Sequence, residues 1–351
     1  MGVVVSTYGP LLEHLTRRFG VSLPVAGATI SVHFGGALPG VFIAMWAVRR
    51  VTARVVMIVS TGVASVGLIG IAISPIWPAF LAAVFVVGLG FGALVLTLNQ
   101  LVAFSAGRRR AGLLNALNAA YSAGAVAGPL LVAALARDHF TLLYLGGALV
   151  WLVLIPGAMG VTGRLPTDAG APRRPDALVG VFIVAFVLYV AIETGTGGWM
   201  TSHLESLGLP SNTAASLTSA FFLALVTGRL LIALVPPRVP ESTVVLASAT
   251  ASTIALAAAA LGIGMPWAYV VAGLTMAPIF PTGVVWLARL RPTDSRATSW
   301  LFPATSVGGV VGPAAIGFVV AGAGVRWTPA VLGALAVLMV GAFAASRRLA
   351  A

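Results

Sequence analysis

GAVAGP, running from Gly124 to Pro129, returns as GGVVGP from Gly308 to Pro313. Each copy sits inside a long apolar run. Each joins two glycines four residues apart, a spacing that lets helices approach closely, to a proline that removes a helical hydrogen bond. The correspondence extends outward at an offset of about 184 to 188 residues. GPLLEHLTRRFG (Gly9–Gly20) lies over GGWMTSHLESLG (Gly197–Gly208), Gly40 over Gly228, Arg50 over Arg238, and Gly88-Leu89 over Gly273-Leu274. Any one match is weak. Several in one register are the internal symmetry of a duplicated helical unit.

The composition says what surrounds that unit. Hydrophobic residues make up 59% of the chain and charged residues 8%, with a mean hydropathy of +1.05. Soluble chains carry about 25% charged residues because a surface facing water needs them, whereas a lipid-facing one must exclude them. Apolar runs long enough to cross a bilayer as helices occur twelve times, over 1–16, 24–47, 54–74, 77–104, 112–136, 140–162, 178–203, 211–236, 242–264, 266–288, 297–322 and 327–346. The predicted fold is therefore an all-α membrane protein of twelve transmembrane helices in two six-helix pseudo-symmetric halves. The polar stretch GRLPTDAGAPRRPDA divides them, giving an N-terminal half over 1–162, a linker over 163–176 and a C-terminal half over 177–351. In this register the first helix is short, since helix seven has about eleven leading residues without counterparts. The natural start is expected upstream of Met1, with an apolar in-frame stretch.

The net charge of +12 comes from arginine alone. Placing residue 1 in the cytoplasm puts sixteen of the twenty in inward connectors, Arg49, Arg50, Arg54, Arg108 to Arg110, Arg164, Arg173, Arg174, Arg229, Arg238, Arg289, Arg291, Arg296, Arg347 and Arg348. Positive charge is retained on that side during insertion, so both termini are expected in the cytoplasm and the protein in the inner membrane. No stripe of interleaved aromatic and basic residues points to nucleic acid. Cysteine is absent, and no nucleotide-binding loop, metal-ligand cluster or catalytic triad spacing is present. No enzyme and no cofactor is expected.

Twelve helices in two similar halves, basic inward loops and GxxxGP in helices five and eleven resemble the major facilitator superfamily. GRRRAGLLNALNAAYSAGAVAGPLL (Gly107–Leu131), YVAIETGTGGWMTSHL (Tyr189–Leu204) with FFLALVTGRLL (Phe221–Leu231), and GLTMAPIFPT (Gly273–Thr282) resemble its sugar-permease branch, which includes fucose-proton symporters. The resemblance implies a secondary transporter working by alternating access, with a sugar as substrate and protons as coupling ion. Two departures stand out. The loop that usually reads DRxGxR is RRVTAR at Arg49–Arg54, and Asn118 stands where the branch often has histidine.

Polar groups within apolar helices carry the site, because each costs several kcal/mol unless paired or wet. Glu193 is the carboxylate placed deepest. Tyr189, Glu193, Thr196 and Met200 share its helical face, with Trp199 beside them. A lone carboxylate in a cavity can load and release a proton; an ion pair with an arginine of the other half is the structural alternative. Asn115, Asn118 and Ser122 form a polar line on helix five, and Asn99-Gln100 lie on helix four; hydrogen bonding to a hydroxyl-rich solute competes there with interhelical bonding. His33 is a candidate for substrate, for a proton or for packing. Gly124, Gly128, Pro129, Gly308, Gly312 and Pro313 are read as packing and bending positions, as are Pro278 and Pro281, which should break helix ten. Trp199, Trp300 and Phe302 could stack on a sugar or anchor at an interface. The expected partners are a small-molecule substrate, protons and the lipid bilayer, with the protein monomeric. Efflux of amphipathic drugs or metabolites by proton antiport is the competing function, and a non-transporting scaffold or truncated remnant the alternative of another class.

Overall fold

The computed structural model describes residues 1–105, 110–135, 139–161, 175–232, 238–291, 297 and 300–350, without the side chains of 103–105, 110–116 and 302. Lipid offers backbone groups no hydrogen-bond partner, so a spanning chain must satisfy them within each segment. Accordingly, the described residues contain twelve helical spans and no strand. The first six are α1 (Gly2–Phe19), α2 (Leu23–Ala47), α3 (Ala53–Ile73), α4 (Trp77–Ser105), α5 (Arg110–Leu135) and α6 (Phe140–Met159). The second six are α7 (Ala177–Ser206), α8 (Ser211–Leu231), α9 (Glu241–Ala260), α10 (Trp267–Leu290), α11 (Leu301–Ala323) and α12 (Thr328–Ala350). Eleven of these are long and apolar enough to cross a membrane. The exception is α1, whose 18 residues reach about 27 Å and include Glu13, Arg17 and Arg18. The periphery is apolar, Phe318 and Leu261 being 84% and 76% exposed, as a lipid-facing surface requires.

Helix ends follow local chemistry. Gly20, with φ of 65°, closes α1 in the left-handed conformation that costs glycine little. Asp176 caps α7 by accepting from the Val179 N–H, and it also pairs with Arg291 at the end of α10. These two contacts, the N–H first, hold its carboxyl below the usual range. As expected, α10 breaks at Ala277-Pro278, with Pro281 in the first turn of the resumed helix; α6 breaks similarly at Leu154, before Pro156.

The duplicated register is visible as duplicated contacts. The backbone at Gly40 in α2 abuts the Leu89 carbonyl of α4, and Gly228 in α8 abuts the Leu274 carbonyl of α10. Gly128 in α5 faces the Val3 carbonyl of α1, and Gly312 in α11 faces the Ala191 carbonyl of α7. In each pair, both partners are related by the sequence offset. At the centre, α1 crosses α7 where Gly9 meets the Gly197 carbonyl, so equivalent positions touch each other, as they must beside a pseudo-two-fold axis.

Away from that crossing, the halves join through α2 with α11 and through α5 with α8, which the same axis relates. Ser31 donates to the Val310 carbonyl at 2.9 Å, Ser219 donates to Val126 at 2.9 Å, and Phe34 covers Gly309. Residues 195–204 of α7 are buried without interruption, so the halves are sealed toward the end opposite the chain termini.

One expectation is corrected. Arg229 belongs to α8, not to a connector, because its guanidinium has partners inside the bundle (below). The RRVTAR loop has no acid, and its arginines go elsewhere: Arg50 lies over the Trp46 ring at 4.1 Å, and Arg54 donates to the Val161 carbonyl. The second half does hold an acid–arginine contact in that region, Glu241 with Arg289 at 2.6 Å. Residues 163–174 of the connector, and Arg108, Arg109, Arg164, Arg173, Arg174 and Arg296, lie outside the described residues.

The crossing at the axis makes a clear stability prediction. Gly9→Ala pushes a methyl into the α7 backbone and should lower the thermal midpoint of the purified protein by several degrees. Gly62→Ala on α3 meets nothing within 4 Å and should match or exceed wild type, alanine being favoured in helices by roughly 1 kcal/mol. Equal midpoints for the two variants would mean the crossing is looser than described.

Candidate functional site

Arg229 organises the polar centre of the molecule. It projects from the last turn of α8, where Gly228 allows close packing on α10, and its guanidinium reaches two partners. Nη2 donates to Glu193 Oε1 of α7 at 3.1 Å, and Nη1 donates to Ser122 Oγ of α5 at 2.7 Å. The first contact stays within the second half; the second crosses to the first half. Ser122 in turn donates to the Asn118 carbonyl, so the arginine is tied to the α5 backbone through one hydroxyl. The charged side chains remain 23% and 20% exposed, which leaves both open to water or solute. Glu193 is therefore not isolated, as the sequence suggests, but ion-paired, and with an arginine of its own half.

Two tyrosines flank the pair. Tyr189, one turn before Glu193, is buried beside Phe280, and its hydroxyl has no hydrogen bond of good geometry. Tyr121 of α5 lies within electrostatic reach of both charges and packs against Phe91. Further along α7, toward the sealed end, Thr196 is buried with an unpartnered hydroxyl. Trp199 is fully buried there too. It donates to the Pro313 carbonyl of α11 at 3.2 Å and fills the space beside Gly27 of α2. In this conformation it is thus a wedge between the halves and offers no face for stacking on a solute.

His33 is likewise sealed. Its Nδ1 shares a 3.1 Å hydrogen bond with the Tyr8 hydroxyl, its ring packs on Phe34 and Phe91, and its Nε2 has no partner. Asn99 donates to its own helix at Val95, one turn back. Asn118 is exposed on α5, and the Asn115 and Phe302 side chains lie outside the described residues. The structure therefore brings together Glu193, Ser122 and Tyr189 from the sequence-predicted set. It places Thr196, Trp199 and His33 in the sealed layer. Arg229 and Tyr121 are the members that sequence reasoning missed. A signal for Arg229 was present, since Leu230 to Leu234 continue the apolar run beyond it.

Partly buried pairs lie between exposed ones, which contribute about 0–1 kcal/mol, and buried ones, whose breakage costs about 3–5 kcal/mol. Glu193→Gln and Arg229→Gln should each lower the unfolding midpoint, and the double variant should recover part of the loss. The double-mutant cycle should give a coupling on the order of 1–3 kcal/mol. Strict additivity would show that the contact contributes nothing to the fold.

No curated protein matches the chain in sequence. Its fold is shared with the nucleoside transporter NupG (TM-score 0.77, 14% identity, covering 98% of this chain and 96% of that one). The same holds for a bacterial homolog of the human lysosomal transporter Spinster, in an inward-facing and unoccupied conformation (0.75, 13%, 99% and 94%), and the peptide transporter POT (0.77, 14%, 99% and 91%). At these identities the likeness speaks for the fold alone. The sequence model of the Major Facilitator Superfamily matches residues 1–180, more than half of the chain, which belongs to that superfamily of membrane transporters.

Proposed function

We propose that the protein moves a small, hydroxyl-bearing polar solute, sugar-like in chemistry, by alternating access coupled to protons. The observation that supports this reading is the Arg229 bridge, which joins a titratable carboxylate of one half to a hydroxyl of the other. Protonating Glu193 removes the charge that holds Arg229. The guanidinium is then free to exchange Ser122 for solute hydroxyls, and the α5–α8 contact loosens. A deprotonated, empty site re-forms the bridge. Coupling follows because solute and proton act on one arginine. The sealed end lies opposite the termini, so with cytoplasmic termini this conformation faces inward. The sugar-permease branch remains the resemblance that names the substrate class. The rings of Tyr121, Tyr189, Phe91 and Phe280 near the pair favour one second reading, efflux of an amphipathic solute.

In proteoliposomes bathed in labelled hexoses, and with ethidium as the competing probe, wild type should accumulate its solute when a proton gradient is imposed. Glu193→Gln, or Glu193→Gln with Arg229→Gln if the single variant is unstable, should exchange solute across the membrane yet fail to concentrate it. Undiminished proton-driven accumulation by these variants would exclude the coupling role. Concentration of ethidium but no hexose would select the second reading. For orientation, a reporter active only outside the cytoplasm, fused to the C-terminus, should remain silent; strong activity would reverse the topology.

A further inference from the structure

At the end opposite the termini lies a cavity of about 790 Å³ that the transport reading does not use. Both halves build it. Its walls carry His14, Arg17 and Arg18 from α1, His139 and Phe140 from the start of α6, and Ser211 from the first turn of α8. Cationic and protonatable donors thus converge on one space, and Glu13 and Glu205 at its margin take up part of them, the Ser211 hydroxyl reaching Glu205. Arg17 is served by Glu13 at 3.7 Å and lies within electrostatic reach of Glu205. Arg18 has no carboxylate partner among the described residues. Its guanidinium lies 4.3 Å from the Phe140 ring centroid, and a single long contact of 3.4 Å joins it to the Ser74 carbonyl. Stacking on a ring fixes the plane of a guanidinium and leaves its edge N–H groups to donate. His14 stacks on the same Phe140 ring at 5.1 Å and 10°, and its Nε2 is buried without a hydrogen-bond partner.

We propose that this cavity is a phosphate-binding site, distinct from the Arg229 centre. Arg18 supplies a ring-braced fork, His14 and His139 supply imidazole donors, and Ser211 of the other half closes the wall, its hydroxyl exchanging Glu205 for the phosphate. A phosphate group suits this set because its several oxygens accept from several directions, and charge-assisted bonds from arginine are the strong ones. On the orientation proposed above, the site is external. Membrane insertion disfavours arginine there, so adjacent Arg17 and Arg18 have a purpose other than topology. The phosphate can come from a soluble compound or from an anionic lipid headgroup of the adjacent leaflet. Bound between α1, α6 and α8, it would tie the two halves at their sealed end.

The full-length protein tests this without reference to transport or orientation. Purified in a neutral detergent, it is titrated calorimetrically with pyrophosphate and with inorganic phosphate, against sodium chloride of equal ionic strength. In parallel, its unfolding midpoint is compared in nanodiscs of phosphatidylcholine with and without phosphatidylglycerol, since a ligand of the native state raises stability. Saturable phosphate binding, at least tenfold weaker in Arg18→Gln and partly kept in Arg18→Lys, would establish a soluble ligand. A rise in midpoint with phosphatidylglycerol alone, absent from Arg18→Gln, would establish the headgroup. Because Arg18 packs on Phe140, His14→Gln is measured beside it as a variant that keeps a polar side chain. No binding from either source by wild type, or equal binding by folded Arg18→Gln and His14→Gln, would overturn the proposal.

Discussion

In a bilayer, apolar side chains gain little by leaving lipid for protein, so helices are held by how closely their backbones can approach. That constraint governs this molecule. The contacts that organise it are glycines laid against carbonyl oxygens, Gly40 on Leu89, Gly128 on Val3, Gly9 on Gly197, and their counterparts in the second half. Each removes a side chain to gain a few ångströms of approach. Because the same contacts recur in both halves, two bundles of one design face each other, and the Arg229 centre lies at the seam between them.

The seam is not symmetric in its chemistry. The register that superposes the glycines places no arginine opposite Arg229, since Gly40 matches Gly228 and Val41 follows it in the first half. A duplicated scaffold has thus been specialised on one side, with the charged pair in the second half and the accepting hydroxyl, Ser122, in the first. An arginine in this setting must find both charge compensation and hydrogen-bond acceptors. It finds them on two different helices, in two different halves.

Much of the architecture was legible in the sequence because it depends on local pattern. Apolar run length placed the helices within a few residues, and the positions matched by the repeat, Gly40 with Gly228 and Leu89 with Leu274, make equivalent contacts in space. Pro278 broke its helix as a missing N–H requires. The site was less legible because partnership is a tertiary property. Glu193 stands alone along the chain and gains its partner only when α8 packs on α7. Arg229 was counted with the connectors because charge bookkeeping is blind to pairing. Asn99 looked available for a solute, yet one of its amide N–H groups is given to the carbonyl one turn back. Trp199 looked like a stacking surface, yet the close approach of α2 and α11, permitted by Gly27 and Gly317, encloses it.

The crossing of α1 and α7 has a mechanical consequence. When one rigid body rocks against another, points near the pivot travel least and distant ones travel most. Gly9 and Gly197 lie side by side near the common axis of the halves, well within both helices. A rocking motion centred there would slide two stretches of glycine backbone past each other by a small distance, under the Phe222 and Ile30 side chains seated on them. The Arg229–Ser122 contact joins one half to the other, so such a motion would have to release it, as a catch on a joint whose bearing stays in place.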